Sequence, residues 1–234
     1  MKIFRKFRQQ LITDNKVRKY LLYAIGEIVL VVIGILIALN INNWNTEQSK
    51  RDAEIVFYHN TKEQLLDDLK NIESNMKYND TYSEQFRYAI NLIELNNRSK
   101  KDSLGQIAVN LMTNSDFDRQ GNIYETMVNS GDVNLLKNNK IIQGLRRLEE
   151  TYIYVNRMEN IHFEALISMI PDLIKTVRIS SNKVENEEHL YGFEFQNYFA
   201  ISLKVMDEKD GAYNRTKDEI ESIIKLIDSE IKEK

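Results

Sequence analysis

Chemistry in this chain would have to start from a few polar side chains in unusual places, and Glu27 is the first. It interrupts "YAIGEIVLVVIGILIALNINNW" (23–44), an otherwise apolar run. A carboxylate at membrane depth has three uses: a hydrogen bond to a neighbouring helix, a reach back to Arg18 or Lys19 at the headgroups, or a place on a proton or ion path. A second candidate is "NSDFDRQGNIYE" (114–125). There Asn114, Asp116, Asp118 and Glu125 take the first, third, fifth and twelfth places of a calcium loop. The sharp turn of such a loop needs Gly at the sixth place, where Arg119 stands, and Gly121 comes two residues late. An acidic connecting loop is the plainer reading. His59, His162 and His189 are isolated, without metal-ligand spacing, and His162 lies on a helical apolar stripe that suits a buried, hydrogen-bonded imidazole. There is no Cys, and no phosphate-binding glycine loop or serine-nucleophile motif occurs. Neither enzymatic activity nor a cofactor is expected.

The element that must carry Glu27 is a membrane helix. Leu21 to Ile41 is a 21-residue run in which fourteen residues are Leu, Ile or Val. As a helix it extends roughly 31 Å, the thickness of a bilayer's hydrocarbon core. Those fourteen residues favour insertion by roughly 4–8 kcal/mol, more than the cost of about 3 kcal/mol for one central acid. The following "ALNINNWN" lacks the small-residue pattern of signal cleavage, so the segment reads as an uncleaved anchor. Lys2, Arg5, Lys6, Arg8, Lys16, Arg18 and Lys19 precede it, against Lys50 and Arg51 just beyond. That asymmetry predicts a cytoplasmic N-terminus, with a periplasmic remainder in a bacterium. Lys2, Arg5, Lys6, Arg8, Arg18, Lys19 and the interfacial Trp44 are the residues expected at lipid headgroups. With Phe4, Phe7 and Leu11 on one side, the arm is either a short amphipathic surface helix or simply the topology signal.

Glu27 shares its side of the helix with Tyr20, Tyr23, Ala24, Val31, Gly34, Ala38 and Ile41, all within about 60° of it. Leu22, Ile25, Val29, Val32 and Leu36 face away. The Gly34-xxx-Ala38 pair lets a second helix approach closely, and Glu27 gains a partner that lipid cannot supply. The membrane-helix interface is therefore expected to comprise Glu27, Gly34, Ala38, Tyr23 and Val31. It would join copies of this chain or bind other membrane-protein subunits.

Beyond Trp44, Leu, Ile, Glu, Lys and Asn abound while the whole chain has only eight Gly and one Pro, so the rest reads as all-α. Taking the seven basic and two acidic residues of 1–44 from totals of 32 and 35 leaves 25 and 33, a net of −8. That balance argues against nucleic-acid binding. A stripe with 3-4 spacing runs from Ile55 to Ile93, with a polar weak point at Asn79 and Ser83, and "NNRSKKDS" (96–103) ends it. Short helices are expected over 104–112, capped by Asp102 or Ser103, and over 122–129, stopping at Gly131. A second stripe runs from Ile141 through Tyr152, Val155, Glu159 and His162 to Leu173, kinked or ended by Pro171. Residues 178–192 read as a loop, and a last helix spans 193–231 with an interruption near Gly211. The organisation expected is a basic cytoplasmic arm (1–20), a transmembrane helix (21–41) and a helical periplasmic domain (42–234). Its long helices are expected to form an antiparallel bundle, although each stripe would also suit an intermolecular coiled coil.

Two stretches, "FRKFRQ…KYLLYAIGEIVLVVIGILIALNINNWN" (4–45) and "IYETMVNSGDVNLLKNNKIIQGLRRLEETY" (123–152), resemble the recognisable blocks of a family of Gram-negative bacterial membrane proteins known only as a domain of unknown function, number 6090. The resemblance implies an inner-membrane anchor with a helical periplasmic part. It implies no activity, ligand or catalytic residue. The function expected is a non-enzymatic scaffold that oligomerises through its membrane helix. The alternatives are a sensory or regulatory subunit binding a periplasmic ligand, and an accessory subunit of an ion- or proton-coupled complex that uses Glu27.

Overall fold

The computed structural model describes residues 17–232 apart from Asp118 and Gln120, with side chains from Leu21 onward. Lys2, Arg5, Lys6 and Arg8, the side chains of Arg18 and Lys19, and Asp118 of the acidic loop thus lie outside the described residues. Helix α1 (Val17–Glu94) contains Gly26 and Gly34 but no Pro. The backbone groups two units, Met1–Glu54 and Ile55–Lys234.

In the first unit the side chains of Leu21 to Ile41 are exposed almost throughout, Leu30 at 74%. This part of α1 is long and apolar enough to cross a membrane. A largely apolar helix surface with no protein cover is what lipid-facing residues present.

The second unit starts where α1 begins to bury side chains. Ile55, Tyr58, Leu65, Ile72, Phe86, Leu92 and Ile93, on the 3-4 stripe or within a residue of it, go into the core. Helix α2 (Lys101–Val109) lies between a tight turn at Arg98–Lys100 and another at Asn110–Met112. Its N-terminus has no side-chain cap, so neither Asp102 nor Ser103 serves as one. Helix α3 (Ile123–Ser130) is capped by Asn122, whose Oδ1 accepts from Glu125 N at 2.8 Å, and ends at Gly131, where φ is +82°. Only a residue without Cβ adopts that left-handed exit cheaply.

Helix α4 (Asn139–Thr176) is capped by Asn138 and continues for five residues beyond Pro171. Pro removes one backbone donor, but the turns around it bury Met169, Leu173 and Thr176. The polar stretch after it is an ordered hairpin rather than a loop. Strands β1 (Val177–Arg178) and β2 (Lys183–Val184) pair antiparallel, Val177 opposite Val184, with Asn182 at φ +55° in the turn. A single turn, α5 (Glu187–Leu190), follows, capped by Asn186. Burial of Val177, Leu190 and Tyr191 holds the segment down, which its many charges hide from a periodicity reading.

Helix α6 (Phe193–Lys232) passes Gly211 without interruption. Its buried residues Phe195, Phe199, Ser202, Met206, Lys209, Tyr213, Thr216, Ile220, Ile223 and Ile227 keep alternating spacings of four and three. The long helices pack on one another. Asn138, the cap of α4, and Arg147, Glu159, His162 and Asp172 within it meet Glu230, Glu219, Tyr213, Lys209 and Tyr198 of α6 in turn. Along α1, Lys62, Glu73, Asn79 and Glu94 meet Asp228, Lys217, Asp210 and Gln196.

The apolar core falls into two clusters. One gathers Tyr58, Leu65, Ile72, Phe117, Leu145, Tyr152, Val155, Ile220, Ile223 and Ile227. The other gathers Phe86, Leu92, Leu104, Met169, Leu173, Phe195, Phe199 and Met206. On each long helix a polar residue separates them: Asn79 and Ser83 on α1, Glu159 and His162 on α4, and Lys209 on α6.

Candidate functional site

A buried Lys, with 1% of its surface exposed, needs acceptors on every side. Lys209 Nζ donates to Asn114 Oδ1 at 3.0 Å and to the Ser115 carbonyl at 2.7 Å, and lies 3.2 Å from His162 Nδ1. An ammonium only donates, so His162 Nδ1 accepts and the imidazole carries its proton on Nε2. Burial, with the Lys209 charge adding to it, holds the His162 pKa down to about 4. Burial likewise lowers Lys209 to about 8, with Glu159, Asp116 and Asp210 acting in the opposite sense.

Glu159, 4% exposed, is the anionic member of this layer. Its Oε1 accepts from Phe117 N at 2.8 Å and from the Tyr213 hydroxyl. Burial raises its pKa, and those two hydrogen bonds partly oppose the rise. The same burial, then the hydrogen bond to Glu159, keeps the Tyr213 hydroxyl protonated. Asn79 closes the layer, accepting from Ser115 Oγ at 2.7 Å and donating to Asp210 Oδ1 at 2.9 Å. The segment Asn114–Phe117 is thereby tied to all three long helices. Two turns earlier on α4, Tyr152 donates to Asp68 Oδ2 at 2.7 Å while Arg119 pairs with Glu149 at 2.6 Å and lies over the Tyr152 ring.

A cleft of about 600 Å³ opens beside this layer, lined by Asp116, Phe117, Arg119, Gly121, Asn122, Asn156, Glu159 and Asn160. Among the described residues Glu159 Oε2 receives no hydrogen bond, yet no buried polar side-chain atom lacks a partner. That oxygen is therefore open to solvent, and the cleft is where Glu159 meets it.

The structure distributes the residues singled out in the sequence. Among those of the acidic loop, Asn114 is taken by Lys209, Glu125 is engaged with the helix cap at Asn122, and Asp116 lines the cleft. Among the described residues no three His, Cys, Asp or Glu side chains are placed to hold a metal ion. His59 is exposed, and His189 Nδ1 lies 2.7 Å from Thr176 Oγ1. Glu27, Tyr23, Val31, Gly34 and Ala38 are exposed in the first unit, with open space where a Gly34 Cβ would point, and Trp44 is exposed as well.

A model of a family of unknown function, DUF6090, matches residues 27–170. The chain belongs to that family. The DUF6090 match starts at Glu27 and takes in Gly34, Ala38, Asn79, Ser115, Glu159 and His162, leaving Lys209, Asp210 and Tyr213 beyond its end. No curated protein and no solved structure matches the chain.

The polar layer was partly visible in the order of residues. Asn79, Ser83, Glu159 and His162 break apolar stripes, and Lys209 sits three residues after Met206 and four before Tyr213 on another. A charged residue at a core position was the available signal. Nothing local marks Ser115 and Phe117, which enter through tertiary hydrogen bonds alone.

Proposed function

We propose that this chain is a non-enzymatic, single-pass protein of the bacterial inner membrane that self-associates through its membrane helix. Its N-terminus is cytoplasmic, and an antiparallel helical bundle in the periplasm serves as an interaction scaffold. One observation carries the reading: an uncovered apolar helix bears its single acid on the same side as Gly34 and Ala38. In lipid such a face gains packing and a hydrogen bond only from another helix. The basic residues ahead of the span support the orientation. The absence of enzymatic chemistry is supported by Lys209, the one amine among the described residues with a lowered pKa. It is held by Asn114, Ser115 and His162 and is out of substrate reach.

The test is oligomer size in mild detergent. Glu27→Gln keeps a hydrogen-bonding side chain and should preserve the assembly, whereas Glu27→Leu and Gly34→Ile should reduce it to the monomer. Equal oligomer size in all three variants would overturn the reading. The cleft at Glu159 favours a second one, a regulatory subunit whose helical domain binds a small periplasmic ligand.

A further inference from the structure

We propose that the cleft between α4 and the segment carrying Asp116, Phe117 and Arg119 binds a small primary amine, its ammonium seated between Glu159 Oε2 and the Asp116 carboxylate. This deepens the ligand-binding reading and rests on it.

The argument is one of acceptors that only solvent answers. Glu159 is 96% removed from solvent, and one of its two oxygens has no donor among the described residues. Asp116 has no hydrogen bond or ion pair to its carboxylate among the described residues; its backbone carbonyl accepts from Asn75 Nδ2 at 3.1 Å. Asn156 and Asn160 are one turn apart on α4, line the same cleft, and have no hydrogen bond among the described residues. The cations nearby are already committed. Arg119 is spent on Glu149 at 2.6 Å, and the Lys209 donors go to Asn114 and the Ser115 carbonyl. Two carboxylates thus line one cleft, with Lys209 and Arg119 near them but no cation bound directly to Glu159 Oε2 or to the Asp116 carboxylate among the described residues. Ionised oxygens that only solvent answers gain more from a cationic donor than neutral acceptors do.

A primary ammonium fits that set. It presents three donors, which match Glu159 Oε2, an Asp116 oxygen and an amide oxygen of Asn156 or Asn160. A bare metal ion is a poorer fit, since no third acidic or histidine ligand converges there among the described residues. Phe117 gives the amine's alkyl part an apolar wall, and a volume of about 600 Å³ suits a ligand of a few to a dozen heavy atoms.

The experiment uses the full-length protein in lipid nanodiscs at pH 7, with putrescine as probe and with 1,4-butanediol, sodium acetate and calcium chloride as comparisons. Binding is read by calorimetry and by amide exchange at residues 113–125. Putrescine should bind saturably and slow exchange in this segment, while the diol, acetate and calcium should not. Asp116→Asn, at an exposed side chain without partners, should weaken putrescine at least tenfold without altering the fold. Glu159→Gln should abolish binding, and if that variant unfolds, Asp116→Asn together with Asn160→Ala decides the question. Unchanged putrescine affinity in Asp116→Asn would overturn the assignment. Saturable binding of the diol or acetate in place of putrescine would sink the amine but spare the ligand-binding reading. Protection by calcium alone would make the cleft a metal site. Silence with every probe would remove both the proposal and the reading beneath it.

Discussion

His162 and Lys209 are each held below their ordinary pKa by burial, so both bind protons less readily in the folded chain than in the unfolded one. For His162 the resulting stability is present above about pH 6.5 and is lost as pH falls through about 4. The loss is roughly 3 kcal/mol when complete. Glu159, with its pKa raised by burial, works against that loss in the acid range. For Lys209 the sign is the same but the window is alkaline: stability withheld at neutral pH returns as pH rises from about 8 past 10. Above pH 10 the unfolded tyrosines ionise while burial keeps Tyr152 and Tyr213 protonated, so stability falls again. Denaturant midpoints followed by circular dichroism should therefore decline from pH 7 to 4 and rise between pH 8 and 10. His162→Gln should remove most of the acid decline, and Lys209→Met the alkaline rise. Slopes that these variants leave untouched would contradict the assigned burial.

At the scale of elements, close helix packing rather than propensity decides what two glycines tolerate. A Cβ on Gly144 of α4 would meet Ile223 Cγ1 of α6 at 2.8 Å, and Ile223 is fully buried and cannot swing away. Overpacking of this kind costs about 1–3 kcal/mol, more than the gain of about 1 kcal/mol in helix propensity. Gly211 of α6 has open space around its Cβ position and ordinary helical backbone. Gly144→Ala should therefore lower the denaturant midpoint, and Gly211→Ala should raise it through a stability gain of about 0.5–1 kcal/mol. A stabilising Gly144→Ala would mean that α4 and α6 are further apart than described. The long stripes and the exit at Gly131 were legible because each is written in local spacing. The passage of α4 through Pro171 was not, because the burial of Leu173 and Thr176 that offsets a missing donor is tertiary.

For the molecule as a whole, both apolar clusters draw every residue from Ile55 onward, and none from the apolar segment before it. The fragment 55–234 should accordingly be soluble without detergent, strongly helical, and unfold in a cooperative transition, whereas the full chain should require detergent or lipid. Circular dichroism with thermal and urea melts of the fragment checks this. Aggregation, or a gradual loss of signal, would show that the helical unit depends on residues 17–54.

The order of residues by itself determined that the chain is mainly helical, which faces of its long helices are apolar, where the lipid-compatible helix lies and which acid interrupts it. These follow from periodicities of a few residues and from side-chain transfer energies, and both are local properties. It also exposed the odd members of the stripes, Asn79, Glu159 and His162, without revealing what answers them. Tertiary structure alone decided that Lys209 meets His162, that Phe117 N and Tyr213 share one oxygen of Glu159, and that the other oxygen faces a cleft beside Asp116. Those partners stand tens of residues apart along the chain. A hydrogen bond between them leaves no trace in local spacing, because only the packing of three helices and one loop brings the atoms within reach.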